Sequence, residues 1–415
     1  MKTFKFILVT CLVGVFSSCT SDDTPNEQAV FAVPIVKTLA AIRSSVNVTG
    51  ARTSESDGKI YVTENYLFYI AQEEGIHIFD NHNPATPQNI AFIHLDGVHD
   101  IAVKNNTLYA DNYTDLTIFD ISDISNIHLT QTLENAVTFN PSYPASAEYY
   151  DYTVTADPDE LVVGFTLETR NRPYGQELIL ANDALGAFES SNGVSIGTGG
   201  SYARFQINNN ALYTIDSYQL KVFNITDPLG AFFDKAVTMM DWFGGGQFET
   251  LFMQKHNLFV GSTTGMHIVD ASDPFNPYFV STFSHATACD PVVVFMDTAY
   301  ITVRGGNSCG AIEDQVNVID VTDISSPTLL STTLVAQPYG LGFRENILYV
   351  CCGSEGLKVF DASDSSNLTL RNSYPDDVTD VIPLNTHLIA VGANKIIQYS
   401  YGADFTLEVI SIVNF

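Results

Sequence analysis

Basic residues are scarce in this chain. Across 415 residues, 18 Lys and Arg stand against 47 Asp and Glu, a formal net charge of −29. That balance argues against nucleic acid and anionic lipid headgroups as partners, because both require clustered Lys and Arg. Tryptophan occurs once, at Trp242. Beyond the first residues no stretch approaches 18 consecutive apolar residues, so no later segment reads as a membrane span. There is no G-x-S-x-G elbow for a nucleophilic serine, and no H-E-x-x-H spacing for a metal. No cofactor, no metal site and no catalytic residue is therefore expected.

The ends read differently from the middle. Lys2 and Lys5 precede a largely apolar run, Phe6–Phe16. As a helix this run spans about 16 Å against about 30 Å of hydrocarbon, so it reads as a signal peptide over residues 1–18 and not as an anchor. Ser17, Ser18 and Cys19 follow. They resemble a bacterial lipobox, which implies lipidation of Cys19 and attachment to the outer membrane through that lipid. Thr20-Ser21-Asp22-Asp23 is similar to the surface-export signal of Bacteroidetes lipoproteins and implies exposure on the cell surface. Residues 19–33 then read as a flexible tether, and residues 34–415 as one domain.

What is abundant is a repeat. Ile76–Asp80, Leu116–Asp120, Leu220–Asn224, Met266–Asp270, Val316–Asp320 and Leu357–Asp361 share one pattern: apolar, polar, apolar, bulky apolar, Asp or Asn. Short β-rich units at a period of about 40–50 residues mean a stacked or closed array. Within one unit, residues 98–133 contain four β-favouring runs separated by turn residues, an antiparallel four-stranded blade. Ile118 and Phe119 point to opposite faces of the third strand, as expected for a blade packed between two others. Asp120-Ile121-Ser122-Asp123 and its counterparts read as hydrogen-bonded turns between strands three and four. They lack the glycine and distal glutamate of a calcium loop.

The predicted fold is all-β, a β-propeller of four-stranded antiparallel blades. Units fall at 58–95, 98–133, 148–190, 201–240, 247–283, 289–334, 337–374 and 376–415. This gives eight blades, with seven as the alternative because the third unit has lost the motif. Residues 34–40 look like an outer strand and are expected to clasp the ring by pairing with the C-terminal blade.

Met266–Asp270 and Val318-Ile319-Asp320-Val321 resemble the LVIVD repeat. Asp100–Val103 with Leu108–Asp111 is similar to its companion strands, and the likeness extends over most of residues 58–400. The resemblance implies a β-propeller, often secreted or surface-exposed. It implies no established activity and no catalytic residues.

Function should then lie on the face where inter-blade loops and second-to-third strand loops emerge. The candidate ligand-binding residues there are His99, Asp100, Tyr113, Tyr218, His285, Asp290, Arg304, Tyr339 and Asp380. Trp242 and Phe243, ahead of Gly244–Gly246, suit a flat ligand or a plug of the ring equally. Outside the cytoplasm an even set of cysteines reads as disulfides, and Cys289–Cys309 would pin the loop at 304–315. Cys351 and Cys352 are either a vicinal disulfide or small apolar fillers. The expectation is a monomeric, surface-anchored, non-enzymatic binding or adhesion module for a glycan or an extracellular protein. The alternative is a glycan-active lyase or hydrolase using acidic residues of the same face.

Overall fold

The repeated strand motif builds a ring. A computed structural model of the chain describes residues 28–53, 58–171, 201–216, 218–239, 247–284, 291–305, 313–392 and 395–414. Among the described residues the strands form eight sheets. Seven are four-stranded antiparallel meanders, the first carrying a fifth, outermost strand, Asn47–Gly50. We number these blades I to VII. Their innermost strands are Gly58–Val62, Ile101–Lys104, Phe205–Asn208, Phe248–Gln254, Val292–Phe295, Leu341–Arg344 and Asp380–Pro383.

The motif lies on the third strand of each blade, as the sequence predicts. Gly75–Asp80, Asp115–Asp120 and Gly265–Asp270 are each buried through five residues and emerge only at the terminal aspartate. The cause is sandwiching. Apolar clusters join blades I, II and III, then III with IV, IV with V, V with VI, VI with VII, and VII back with I. Each fully buried Leu, Ile, Val or Phe contributes about 1.5–3 kcal/mol, so these interfaces hold the ring.

The turns also behave as read. Asp120, Asp270, Asp320 and Asp361 each accept the backbone N–H two residues on at 2.8–3.1 Å. Asp123, Asp273, Asp323 and Asp364 repeat the bond one step later. Hydrogen bonding to the charged form holds the Asp361 carboxyl down at about 2. A feature the sequence does not display accompanies every turn. The fourth strand slips register opposite the bulky motif residue, between Ile78 and Phe79 in blade I and at the equivalent place in the other six. Seven such bulges add twist where each strand leaves the ring.

The third unit is built otherwise. Its strands Tyr149–Tyr150 and Glu160–Asn171 flank the N-terminal strand Gln28–Thr38 in a three-stranded sheet. This accessory sheet is not inserted between blades II and III, which pack directly on each other. The expected N-terminal clasp is thereby corrected: the strand pairs with Glu160–Asn171 over its whole length, not with the C-terminal blade. Blades I and VII close without a shared strand. Asn81 and Gln398, both buried, exchange side-chain amide bonds of 3.2 and 2.8 Å, and Ser411 donates to the Pro84 carbonyl at 2.6 Å.

Candidate functional site

Backbone bonds place the two expected kinds of loop on one face. Tyr113 N–H in a second-to-third strand loop donates to Gly97 in an inter-blade loop, and Tyr339 N–H donates to Cys351. The helix Leu39–Ser45 lies against this face at blade II, its N-terminus capped by Thr38 Oγ1 accepting from Ala41 N–H at 3.1 Å. Arg43 grips Asp115 through Nε–Oδ2 at 2.6 Å and Nη2–Oδ1 at 3.1 Å. Lys37 meets Asp96 at 2.6 Å. The accessory sheet therefore covers part of the loop face.

That cover changes the role of Tyr113. Its ring is buried among Ile42, Val163 and Phe139, with the Phe139 centroid 4.7 Å away, and it presents no free aromatic face. His99 is half-buried, its Nδ1 2.8 Å from the Gly97 carbonyl oxygen and its ring 5.7 Å from Phe139. Asp100 is buried and spends its carboxylate on backbone. Oδ1 accepts from Ile101 N–H at 2.7 Å, and Oδ2 accepts from Arg204 N–H at 2.5 Å and Phe205 N–H at 3.1 Å.

Residues 201–205 cross the axis of the ring, which sequence reading missed. Besides the Asp100 bonds from blade II, the Ala203 carbonyl accepts from Leu251 N–H of blade IV. Ser201 Oγ accepts from Leu341 N–H of blade VI at 3.0 Å and donates to Asp380 Oδ1 of blade VII at 3.0 Å. Four blades on opposite sides of the ring thus hold one short segment across its axis. Gly340 permits the closeness: a Cβ there would stand 2.2 Å from Asp380 Oδ1.

Lys59 is the second residue the sequence reading passed over. It is the charged member of an otherwise apolar inner strand, 3% exposed, within electrostatic reach of Asp100, Asp380, Asp111 and Arg204. Burial lowers its pKa. The signal was present in Gly58-Lys59-Ile60-Tyr61-Val62, where a lysine interrupts a run that should be wholly apolar. Asp380 is fully buried, Oδ2 has no hydrogen-bond partner, and burial pushes its carboxyl up to about 8.

Of the remaining candidates, Tyr218 is exposed and Arg304 and Tyr339 are half-buried. Tyr218 is 44% exposed beside Asp216, which accepts its N–H at 2.9 Å. The Arg304 guanidinium carbon sits 4.3 Å from the Tyr339 ring centroid, a stacked cation–aromatic ledge between blades V and VI. Cys351 and Cys352 are buried free thiols, as the filler reading expects. Cys19, Trp242, Phe243, His285, Asp290, Cys289 and Cys309 lie outside the described residues. No group of three or more His, Cys, Asp or Glu side chains among the described residues could hold a metal ion, and no described helix is long and apolar enough to cross a membrane.

The LVIVD repeat family model matches residues 97–134 and 342–376, which are blade II and most of blade VI. No curated protein matches the sequence. Solved structures do resemble the fold. A protein from Lactobacillus plantarum aligns at TM-score 0.54 and 12% identity, covering 93% of this chain and 96% of that one. The periplasmic gluconolactonase PpgL of Pseudomonas aeruginosa aligns at TM-score 0.53 and 10% identity, over 89% and 96%. The computationally designed Ika8 protein aligns at 0.50 and 11%, over 88% and 89%. At such identities the likeness is one of fold alone. The chain is a β-propeller that carries LVIVD repeats.

Proposed function

We propose that this propeller is a non-enzymatic binding module that holds a glycan or an extracellular protein on its loop face. The observation that carries the reading is the segment across the axis. A glycosidase needs two free carboxyl groups facing each other across about 5–10 Å. Here Asp100 is saturated by three backbone donors, Asp115 by Arg43 and Asn135 N–H, and Asp380 is buried behind Ser201. What stays partly exposed is a ledge, Arg304 on Tyr339, of the kind that recognises partners by stacking and by charge-assisted hydrogen bonds.

The mature chain is proposed to be a monomer held to the outer membrane through Cys19 and displayed at the cell surface, with Cys289 and Cys309 joined. Palmitate labelling that survives Cys19→Ala would sink the anchor, and alkylation of 289 and 309 without reduction would sink the disulfide. The function is tested on purified residues 20–415 with a glycan array and with cross-linking to surface proteins. Binding that falls about tenfold in Arg304→Ala and Tyr339→Ala supports the ledge. Turnover of a glycan by the purified chain would overturn the reading in favour of an enzyme, as would binding indifferent to both variants.

A further inference from the structure

The accessory sheet carries an aromatic surface that the ring does not use. Strand alternation divides its side chains. Phe31, Glu168 and Arg170 share one face, where the Arg170 guanidinium stands 4.6 Å over the Phe31 ring. Ala32, Pro34, Phe165 and Leu167 share the other, with Tyr150 paired to Ala32. On that second face Tyr143 packs on Phe165 at 5.3 Å and on Tyr150 at 6.5 Å, and Tyr152 packs on Tyr150 at 4.6 Å. This cluster is separate from every apolar cluster of the ring.

Three properties specify its ligand. The first is exposure: Tyr152 and Leu167 are 49% and 48% exposed, so rings and aliphatic surface meet solvent side by side. The second is neutrality. In a chain of net charge −29, the strand residues beside the tyrosines, Ala32, Pro34, Phe165 and Leu167, are uncharged, and the neighbouring Asp151 pairs with Arg170 at 2.5 Å. The third is a polar group without a partner. Tyr143 is 8% exposed and its hydroxyl has no hydrogen bond, while the phenols of Tyr150 and Tyr152 lie within electrostatic reach of it. An apolar side chain laid against that hydroxyl would leave it unsatisfied. A sugar offers C–H faces for the rings and hydroxyls that both donate and accept.

The support beneath is rigid. Asp151 accepts from Thr153 N–H at 2.9 Å and Thr153 Oγ1 at 2.6 Å, and its own N–H donates to Ala32 at 2.9 Å, so the turn carrying Tyr150 and Tyr152 is tied to the sheet. We propose that the face formed by Tyr143, Tyr150, Tyr152 and Phe165 is a second binding surface, for a neutral polysaccharide. It stands apart from the Arg304–Tyr339 ledge and does not depend on it.

The test is affinity electrophoresis of residues 20–415 in gels containing neutral β-glucan, mannan, xylan or starch, with alginate as the acidic comparison. At least one neutral polymer should retard the protein. Tyr152→Ala and Tyr143→Phe should each weaken that retardation about tenfold, equivalent to about 1.4 kcal/mol. Leu229→Ala, on the exposed rim of blade III, should leave it unchanged. Tyr143→Phe removes only a buried hydroxyl, so a purely structural role predicts no change in binding. The proposal is overturned if no neutral polymer retards the protein, if alginate is preferred, or if both variants bind as well as the parent. Retardation abolished by Arg304→Ala but kept in Tyr152→Ala would move the glycan to the loop-face ledge and overturn it too. Self-association in sedimentation that disappears in Tyr152→Ala would assign the patch to a second copy instead.

Discussion

Replacing Asp380 with Asn should reshape the pH dependence of stability. Asp380 is fully buried, with Oδ1 held by Ser201 and Oδ2 unpartnered, and burial lifts its carboxyl from 3.8 to about 8. The folded pKa lies above the unfolded one, so the native state keeps a proton that the unfolded chain gives up. Stability from this group is complete below about pH 4, is lost as pH rises, and is gone above about pH 8. About four pH units at about 1.4 kcal/mol each bound the loss at about 6 kcal/mol. Lys59 opposes it in two ways. Its charge draws the carboxyl down, and its own lowered pKa makes stability rise with pH. A net pH-dependent difference of about 2–4 kcal/mol between parent and variant is expected from these opposed effects. Asn keeps an acceptor for Ser201 but puts an unpartnered N–H₂ where Oδ2 stood, a penalty of about 1–3 kcal/mol that does not vary with pH. Urea unfolding followed by circular dichroism between about pH 4.5 and 8.5 reads the balance. Asp380→Asn should be the less stable chain at the acid end and match or exceed the parent at the alkaline end. Lys59→Met, keeping Asp380, should steepen the parent's decline. Parallel stability curves for parent and Asp380→Asn would refute the reasoning.

Three further outcomes follow from named contacts. Arg43→Ala strips the bidentate partner from Asp115, whose side chain is 2% exposed; a loss of about 2–3 kcal/mol is expected, with Arg43→Lys recovering only part, and an unchanged melt would dismiss the contact. Asn81→Leu and Gln398→Leu each leave a buried amide unpaired at the I–VII junction and should lose about 1–3 kcal/mol, while the double variant should lose less than their sum; strictly additive losses would deny the pairing. Gly97 holds φ +65°, and a Cβ there would stand 2.2 Å from the Tyr113 ring. Gly97→Ala should therefore lose more than the about 1–2 kcal/mol of backbone strain alone, by displacing Tyr113 from Phe139; near-ultraviolet circular dichroism that keeps the parent's aromatic signal would contradict this.

The blade was legible because its determinants are local. A third strand buried on both faces must read as consecutive large apolar residues, and a turn that closes on its own carboxylates must read as Asp or Asn with Ser or Thr. Both demands fall within ten residues, as Leu116–Ser125 shows, so one copy suffices to recognise them. The accessory sheet was not legible for the converse reason. Its strand Glu160–Asn171 pairs with residues more than a hundred positions earlier, and the sequence separation hides the partner. A run of β-favouring residues at the expected period therefore reads as a blade, although nothing local requires its neighbours to be blades II and III.

The axis illustrates the same limit for function. Asp100 and Asp380 occupy equivalent places at the start of inner strands, where loop-face ligands are ordinarily sought, and their acidity made them candidates. What decides their role is whether water or protein stands opposite, and that is set by residues 201–205 arriving from elsewhere in the chain. Once that segment is in place, Asp100 becomes an acceptor for its backbone and Asp380 a buried acid beside Lys59. Neither assignment changes a residue of the repeat. The repeat specifies a scaffold with polar positions pointing at an axis, and the insertion after blade II crosses that axis. The same insertion carries the exposed Tyr152 beside the half-buried Tyr150, so part of the chemistry available to a ligand depends on the departure from the repeat and not on the repeat itself.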